Sequence, residues 1–259
     1  MTVRILSAEA ATSKGRTALI WGQSGCGKTT LASEMPAPLY IDVENRTGPW
    51  RDRVLANGGL IVSVETLADI NSMIDVLRSP LPAVRAKALV EWGAPAGWSP
   101  QSIVIDSITD LIDINLQAHN DRPPKTKGGD TDGFAIYRIN LEQFKTLARH
   151  LKETDIPVMA TALEKYDKDD QGKYKYMLDV PGQLERKLPA AFDIHARIMI
   201  PTVAVGQPAK RILGTTITDT YNAKAPAGVP SRIECGPTNR DPDALEVQGA
   251  LKLLGLRKE

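Results

Sequence analysis

The sequence predicts an α/β protein with a mostly parallel central sheet flanked by helices and antiparallel strands towards the C-terminus. Two observations carry this. Short apolar runs alternate with helix-periodic stretches as far as about residue 165, and beyond residue 174 the runs shorten and are broken by Gly and Pro. Strands joined through a helix pair in parallel, whereas short strands joined by turns pair antiparallel, so the second region reads as a continuation of the same sheet.

The elements follow in order. T-A-L-I-W (Thr17–Trp21) is an apolar strand, followed by a glycine-rich loop and a helix from Lys28 to about Met35. P-L-Y-I-D-V-E (Pro38–Glu44) and L-I-V-S-V (Leu60–Val64) are the next strands, and Thr66 to Leu77 has helical periodicity with acidic residues early. S-I-V-I-D-S (Ser102–Ser107) is a strand leading to a helix from Thr109 towards Ala118; Phe134 to Leu151 is a long helix, and I-P-V-M-A-T (Ile156–Thr161) the next strand. A-R-I-M-I and R-I-L-G-T supply the late short strands. Pro80–Pro100, His119–Gly133, Glu164–Met177 and Lys224–Pro230 mix Gly, Pro and both charges, and are expected to be irregular. The expected organisation is one domain over 1–259, with a mostly parallel core at about 15–165 that carries the glycine-rich loop and an antiparallel extension at 175–235.

The charge balance excludes one class of partner as an obvious choice. Lys and Arg number 32 against 31 Asp and Glu, a formal net charge of +1, so no long-range field draws in nucleic acid. Two cysteines, Cys26 and Cys235, are too few for a disulfide framework, and His119, His150 and His195 are too far apart in sequence for a zinc motif. No basic start is followed by a long apolar run, so a cytoplasmic setting with no membrane association is expected.

The stretch I-W-G-Q-S-G-C-G-K-T-T carries the chemistry. Gly22, Gly25, Gly27, Lys28 and Thr29 satisfy G-x-x-x-x-G-K-[ST] between an apolar strand and a helix. Glycines let backbone N–H groups of Gly22, Gln23, Ser24, Gly25, Cys26 and Gly27 turn inward around phosphate, together with those of Thr29 and Thr30 at the helix start. Lys28 reaches the β- and γ-phosphates, and the Thr29 hydroxyl ligates magnesium. ATP and Mg²⁺ are the expected cofactors, and Cys26 is expected to fill space. Asp106, closing the run S-I-V-I-D, is the expected metal-side carboxylate; Ser107 either bonds the metal's water shell or caps the following helix. Hydrolysis also needs a carboxylate that orients water, and Y-I-D-V-E offers Glu44, with Asp42 on the same strand face.

Three pieces in order, G-Q-S-G-C-G-K-T-T, L-Y-I-D-V-E-N and S-I-V-I-D-S-I-T-D-L, resemble the core ATPase of the RecA-like recombinases, and more closely the short phage and prophage ATP-binding proteins built from that core. Some of those proteins resemble single-strand annealing or recombination factors. The resemblance covers about residues 15–230. It implies a RecA-like fold, with Lys28, Thr29, Glu44 and Asp106 in the catalytic and metal-binding roles. It also places Thr161 where recombinases carry a polar residue that senses the γ-phosphate and begins the DNA-binding loop. Lys224, within T-Y-N-A-K-A-P-A-G-V-P, stands where a cation can reach a neighbouring subunit's γ-phosphate, with Arg232 and Arg211 as further candidates. A homo-oligomer in a bacterial or phage-infected cell follows from the same likeness.

The segment Lys165–Met177 combines Tyr166, Tyr174 and Tyr176, which can stack on bases, with Lys165, Lys168, Lys173 and Lys175, which can meet phosphates. Glu164, Asp167, Asp169 and Asp170 offset those four lysines, so a plain β-hairpin of alternating Tyr and Lys is the competing reading. Arg122, Lys125 and Lys127 form a second basic patch, diluted by Asp121, Asp130 and Asp132. The functional expectation is a magnesium-dependent ATPase coupled to single-stranded DNA in phage-type recombination or annealing. The alternative is an ATP-dependent assembly or regulatory factor acting on a protein partner, such as a replication or recombination protein. A small-molecule kinase fits less well, because Glu44 suits water activation.

Overall fold

The computed structural model describes residues 16–45, 48–126, 132–202, 209–238 and 243–258. Among these, one nine-stranded sheet runs in the order β3-β2-β4-β5-β1-β7-β8-β9, with β6 paired to β5 off this path. The strands are β1 (Thr17–Gly22), β2 (Pro38–Asp42), β3 (Leu60–Ser63), β4 (Ser102–Asp106), β5 (Val158–Lys168), β6 (Tyr174–Leu178), β7 (Ile194–Met199), β8 (Lys210–Gly214) and β9 (Arg232–Pro237). From β3 to β7 along that path every pairing is parallel, and β8 and β9 are antiparallel. The fold is that of a RecA-like P-loop nucleoside triphosphatase.

Alternation along each strand sorts the core into two layers. Leu19, Trp21, Leu39, Ile41, Ile103, Ile105, Val158 and Ala160 face one layer, with Ile70 and Ile74 of α3 (Leu67–Leu77), Leu111 of α5 (Ile108–Asp121) and Phe144 of α6 (Gly133–Lys152). Ala18, Ile20, Tyr40, Val104 and Met159 face the other, with Leu31 of α1 (Lys28–Ser33), Val54 of α2 (Arg51–Ala56) and Leu251 of α8 (Ala244–Leu254). With a helix layer on each face, β1, β2 and β4 are buried along their whole length, which is why they read as unbroken apolar runs.

Four expectations need correction. Residues 80–100 were expected to be irregular, yet α4 (Pro82–Glu91) forms there, started by a proline in its first turn and carried by Ala and Leu. Glu164–Met177 is regular: β5 continues to Lys168 and returns as β6, with Tyr166 opposite Tyr176 and Lys168 opposite Tyr174. The run A-R-I-M-I lies in β7, which pairs parallel with β1 and not antiparallel; α7 (Leu184–Ala191), invisible in the punctuated sequence, supplies the crossover. β2 ends at Asp42, so Glu44 lies in the bend beyond it. Lys127 and Asp130 of the second basic patch lie outside the described residues.

Candidate nucleotide-binding site

β1, β2 and β4 end on one side of the sheet, where β5 continues past them, and the expected phosphate loop leaves β1 on that side. Side chains cannot replace two of its glycines. A Cβ on Gly22 would collide with the Ile198 carbonyl oxygen of β7, and Gly27 adopts φ 104 with Arg211 Cδ 2.8 Å from where its Cβ would lie. Gln23, Ser24 and Gly25 form the exposed apex, while Cys26 is buried and its thiol pKa is raised by burial, as a space-filling residue requires.

Lys28 is 8% exposed and turns back into the loop, where Nζ donates to the carbonyl oxygens of Gly22 at 2.9 Å and Gln23 at 3.0 Å. These neutral acceptors hold the ammonium at the centre of the loop, where a phosphate oxygen would be a stronger, charge-assisted partner. Thr29 is half-buried and Thr30 is buried, on the first turn of α1.

Asp106 sits at the end of β4 with both carboxylate oxygens engaged. Tyr40 in β2 donates its hydroxyl to Oδ2 at 2.5 Å, and Thr161 in β5 donates its hydroxyl to Oδ1. Tyr40, Asp106 and Thr161 all project to the α1 side because each shares parity with a residue of that core layer. Burial, reinforced by the Asp106 charge, pushes the Tyr40 phenol well above its ordinary pKa, so it stays a donor. Thr161 therefore stands one hydrogen bond from the expected metal carboxylate. The sequence reading missed Tyr40, although its position two residues before Asp42 in one strand was the signal available.

Ser107 caps α5: its hydroxyl accepts from the Asp110 amide at 3.3 Å and donates to the Asp110 carboxylate. That is the second of its two expected roles. Val43 N donates to the Asp106 carbonyl oxygen at 2.9 Å, which carries Glu44 to the same edge as Asp106. Asp42 and Glu44, after Asp106, add electrostatically to the rise of the Tyr40 phenol pKa.

The profile of one protein family, described as an AAA domain, matches residues 14–227. The chain belongs to this AAA domain family. Among solved structures it is similar to the flagellar accessory protein FlaH from Methanocaldococcus jannaschii, at 14% identity and a TM-score of 0.45, over 86% of this chain and 87% of that one. No curated protein matches it.

Two sets of predicted residues in this AAA domain lie elsewhere. Lys224 pairs its backbone with His195 in β7 and donates Nζ to the Ala190 carbonyl at 3.1 Å. Ala190 precedes β7 in the chain, so Lys224 belongs to the sheet edge opposite the phosphate loop and is not part of this chain's own site. In the hairpin, Lys165 pairs with Glu185 at 3.3 Å and Lys175 with Asp169 at 2.9 Å, while Lys168 lies over the Tyr174 ring. At its base, Arg197 grips Glu164 through two hydrogen bonds of 2.8 and 3.1 Å and lies 3.6 Å from the Tyr176 ring centroid. No sequence signal linked Arg197 to Glu164.

Among the described residues, no three or more His, Cys, Asp or Glu side chains are grouped to hold a metal ion. A magnesium ion arriving with nucleotide phosphates needs no such cluster. The glycine-shaped loop and the oriented Asp106 fit that group, with Thr29 and Asp106 as the residues that would hold it. No described helix is long and apolar enough to cross a membrane.

Proposed function

We propose that this AAA-domain protein binds ATP with magnesium, hydrolyses it, and uses its nucleotide state to act on a protein partner. The observation that carries the chemistry is the placement of Lys28, of Asp106 bonded to Thr161, and of Glu44 in the bend after β2, all on the side of the sheet where β1, β2 and β4 end. Lys28 leaves its two loop carbonyls for the phosphates, Tyr40 and Thr161 orient Asp106 towards the metal's side, and Glu44 takes a proton from water. Magnesium, when bound, neutralises phosphate charge.

A protein partner is supported by the state of the hairpin, whose lysines Lys165 and Lys175 are already paired with carboxylates, and by the net charge of +1. One observation favours a second reading, binding of single-stranded DNA: Tyr166 and Tyr174 stack at 5.4 Å and are 60% and 53% exposed.

The test is magnesium-dependent ATP hydrolysis with and without single-stranded DNA, in the wild type, Lys28→Ala and Glu44→Gln. Hydrolysis indifferent to DNA and absent from both variants supports the first reading. Stimulation by DNA moves the assignment to the second. Wild-type protein that binds no nucleotide overturns both.

A further inference from the structure

Arg211 lies in β8 at the end nearest the phosphate loop, since β8 runs antiparallel to β7 and Ile212 faces Met199, the last residue of β7. Its stem covers the loop: Cδ and Nε would lie 2.8 and 3.0 Å from a Cβ on Gly27. One nitrogen of the guanidinium donates to the Pro237 carbonyl of β9. Nε is buried and has no hydrogen-bond partner among the described residues. A buried donor left without an acceptor is costly, more so on a charged group, and calls for an explanation. Here the orphaned donor lies against Gly27, the last residue of the loop before α1.

We propose that Arg211 is a nucleotide-binding residue contributed by the same chain, contacting the phosphate nearest the nucleoside and not the γ-phosphate. This rests on the ATP-binding reading above. The sheet order decides which end of the nucleotide it meets. Asp106 in β4 lies two strands from β1 on one side and Arg211 in β8 two strands away on the other, four inter-strand steps or roughly 19 Å in all. Glu44, Asp106 and Thr161 define the side towards which the terminal phosphate points, so the nucleoside end extends towards β7 and β8. A planar guanidinium with fixed donors suits the α-phosphate or ribose oxygens there. Arg211 thus does not need a neighbouring subunit to meet nucleotide.

The experiment compares affinities of the full chain for Mg-ADP and for a slowly hydrolysed Mg-ATP analogue, in the wild type, Arg211→Gln and Arg211→Met. Methionine keeps an apolar stem against Gly27 and serves if the glutamine variant fails to fold, with melting in the absence of nucleotide as the check. Both variants are expected to bind both nucleotides roughly tenfold or more weakly, by the same factor. A variant that binds ADP as tightly as wild type, or loses affinity only for the ATP analogue, overturns the inference while leaving the ATP-binding reading intact. A wild type that binds neither nucleotide removes both.

Discussion

Tyr40 donates its hydroxyl to Oδ2 of Asp106 at 2.5 Å from a ring with no exposure to solvent. The two residues lie on neighbouring parallel strands, with Tyr40 opposite Val104 and Asp42 opposite Asp106, so the phenol reaches along the sheet to the carboxylate. An aromatic ring fixed by packing makes a rigid donor, and the carboxylate it holds is the one expected to face magnesium. Asp106 is thereby oriented before any ligand arrives.

Removing that hydroxyl exposes its contribution. Tyr40→Phe keeps the buried ring and deletes one hydrogen bond to a charged acceptor, worth about 1.5–3 kcal/mol. The midpoint of thermal unfolding is expected to fall by roughly 3–12 °C. The magnesium concentration needed for half-maximal hydrolysis should rise as well, and an unchanged magnesium dependence would count against a metal-side role for Asp106.

Thr161 holds the other oxygen of the same carboxylate. Thr161→Val is close to isosteric and leaves Asp106 with Tyr40 alone. Because both donors act on one group, Tyr40→Phe and Thr161→Val should not be additive; a coupling energy of about 0.5–3 kcal/mol is expected from a double-mutant cycle on unfolding. Strict additivity would mean that the two hydroxyls do not share Asp106 in solution.

Glu164 and Arg197 form a buried pair, with side chains 7% and 9% exposed. Glu164→Ala leaves the guanidinium buried beneath the hairpin with no carboxylate partner, only the Tyr176, Tyr221 and Trp21 rings and the Met199 sulfur beside it, at an expected cost of about 3–5 kcal/mol. Arg197→Met paired with Glu164→Ala should recover much of that loss, since it removes the stranded charge. Chemical denaturation of the two variants checks this, and equal destabilisation of both would refute it.

His195 supplies the pH dependence. Burial, followed by the Lys224 charge, holds its pKa down to about 3, against an ordinary 6.5. Its ring stacks on Trp21 at 5.4 Å, and its Nε2 has no hydrogen-bond partner among the described residues. The unfolded chain binds the proton that the folded one refuses, so this contribution is complete above pH 6.5 and is lost as pH falls from there towards 3. His195→Phe should flatten the fall of the melting temperature between about pH 6.5 and 4. An unchanged slope would place the acid sensitivity in other groups.

The glycine loop was legible because its pattern is local: Gly22 to Thr29 stand close together in the chain, between an apolar strand and a helix. Asp106 was legible for a similar reason, as the acid that ends an apolar strand. Regular elements announced themselves where one core layer set the period, as along α3 and α6. Glu164–Met177 allowed two readings, an irregular loop and a β-hairpin of alternating Tyr and Lys, because its mixed charges suit either, and the pairing of β5 with β6 decides for the hairpin. β7 misled for another reason. Its short run between Pro189 and the later glycines resembles a hairpin strand, and only its place beside β1 makes it parallel.

The sequence by itself determined the class of the molecule and the place of its glycine-rich loop, since both depend on periodicity and on contiguous backbone. Tertiary structure alone decided what surrounds that loop. Tyr40 meets Asp106 across 66 positions of sequence and Arg197 meets Glu164 across 33. Arg211 reaches Gly27 because β8 folds back beside β7. Contacts of that range depend on strand order and register, and neither is written in the spacing of residues along one chain.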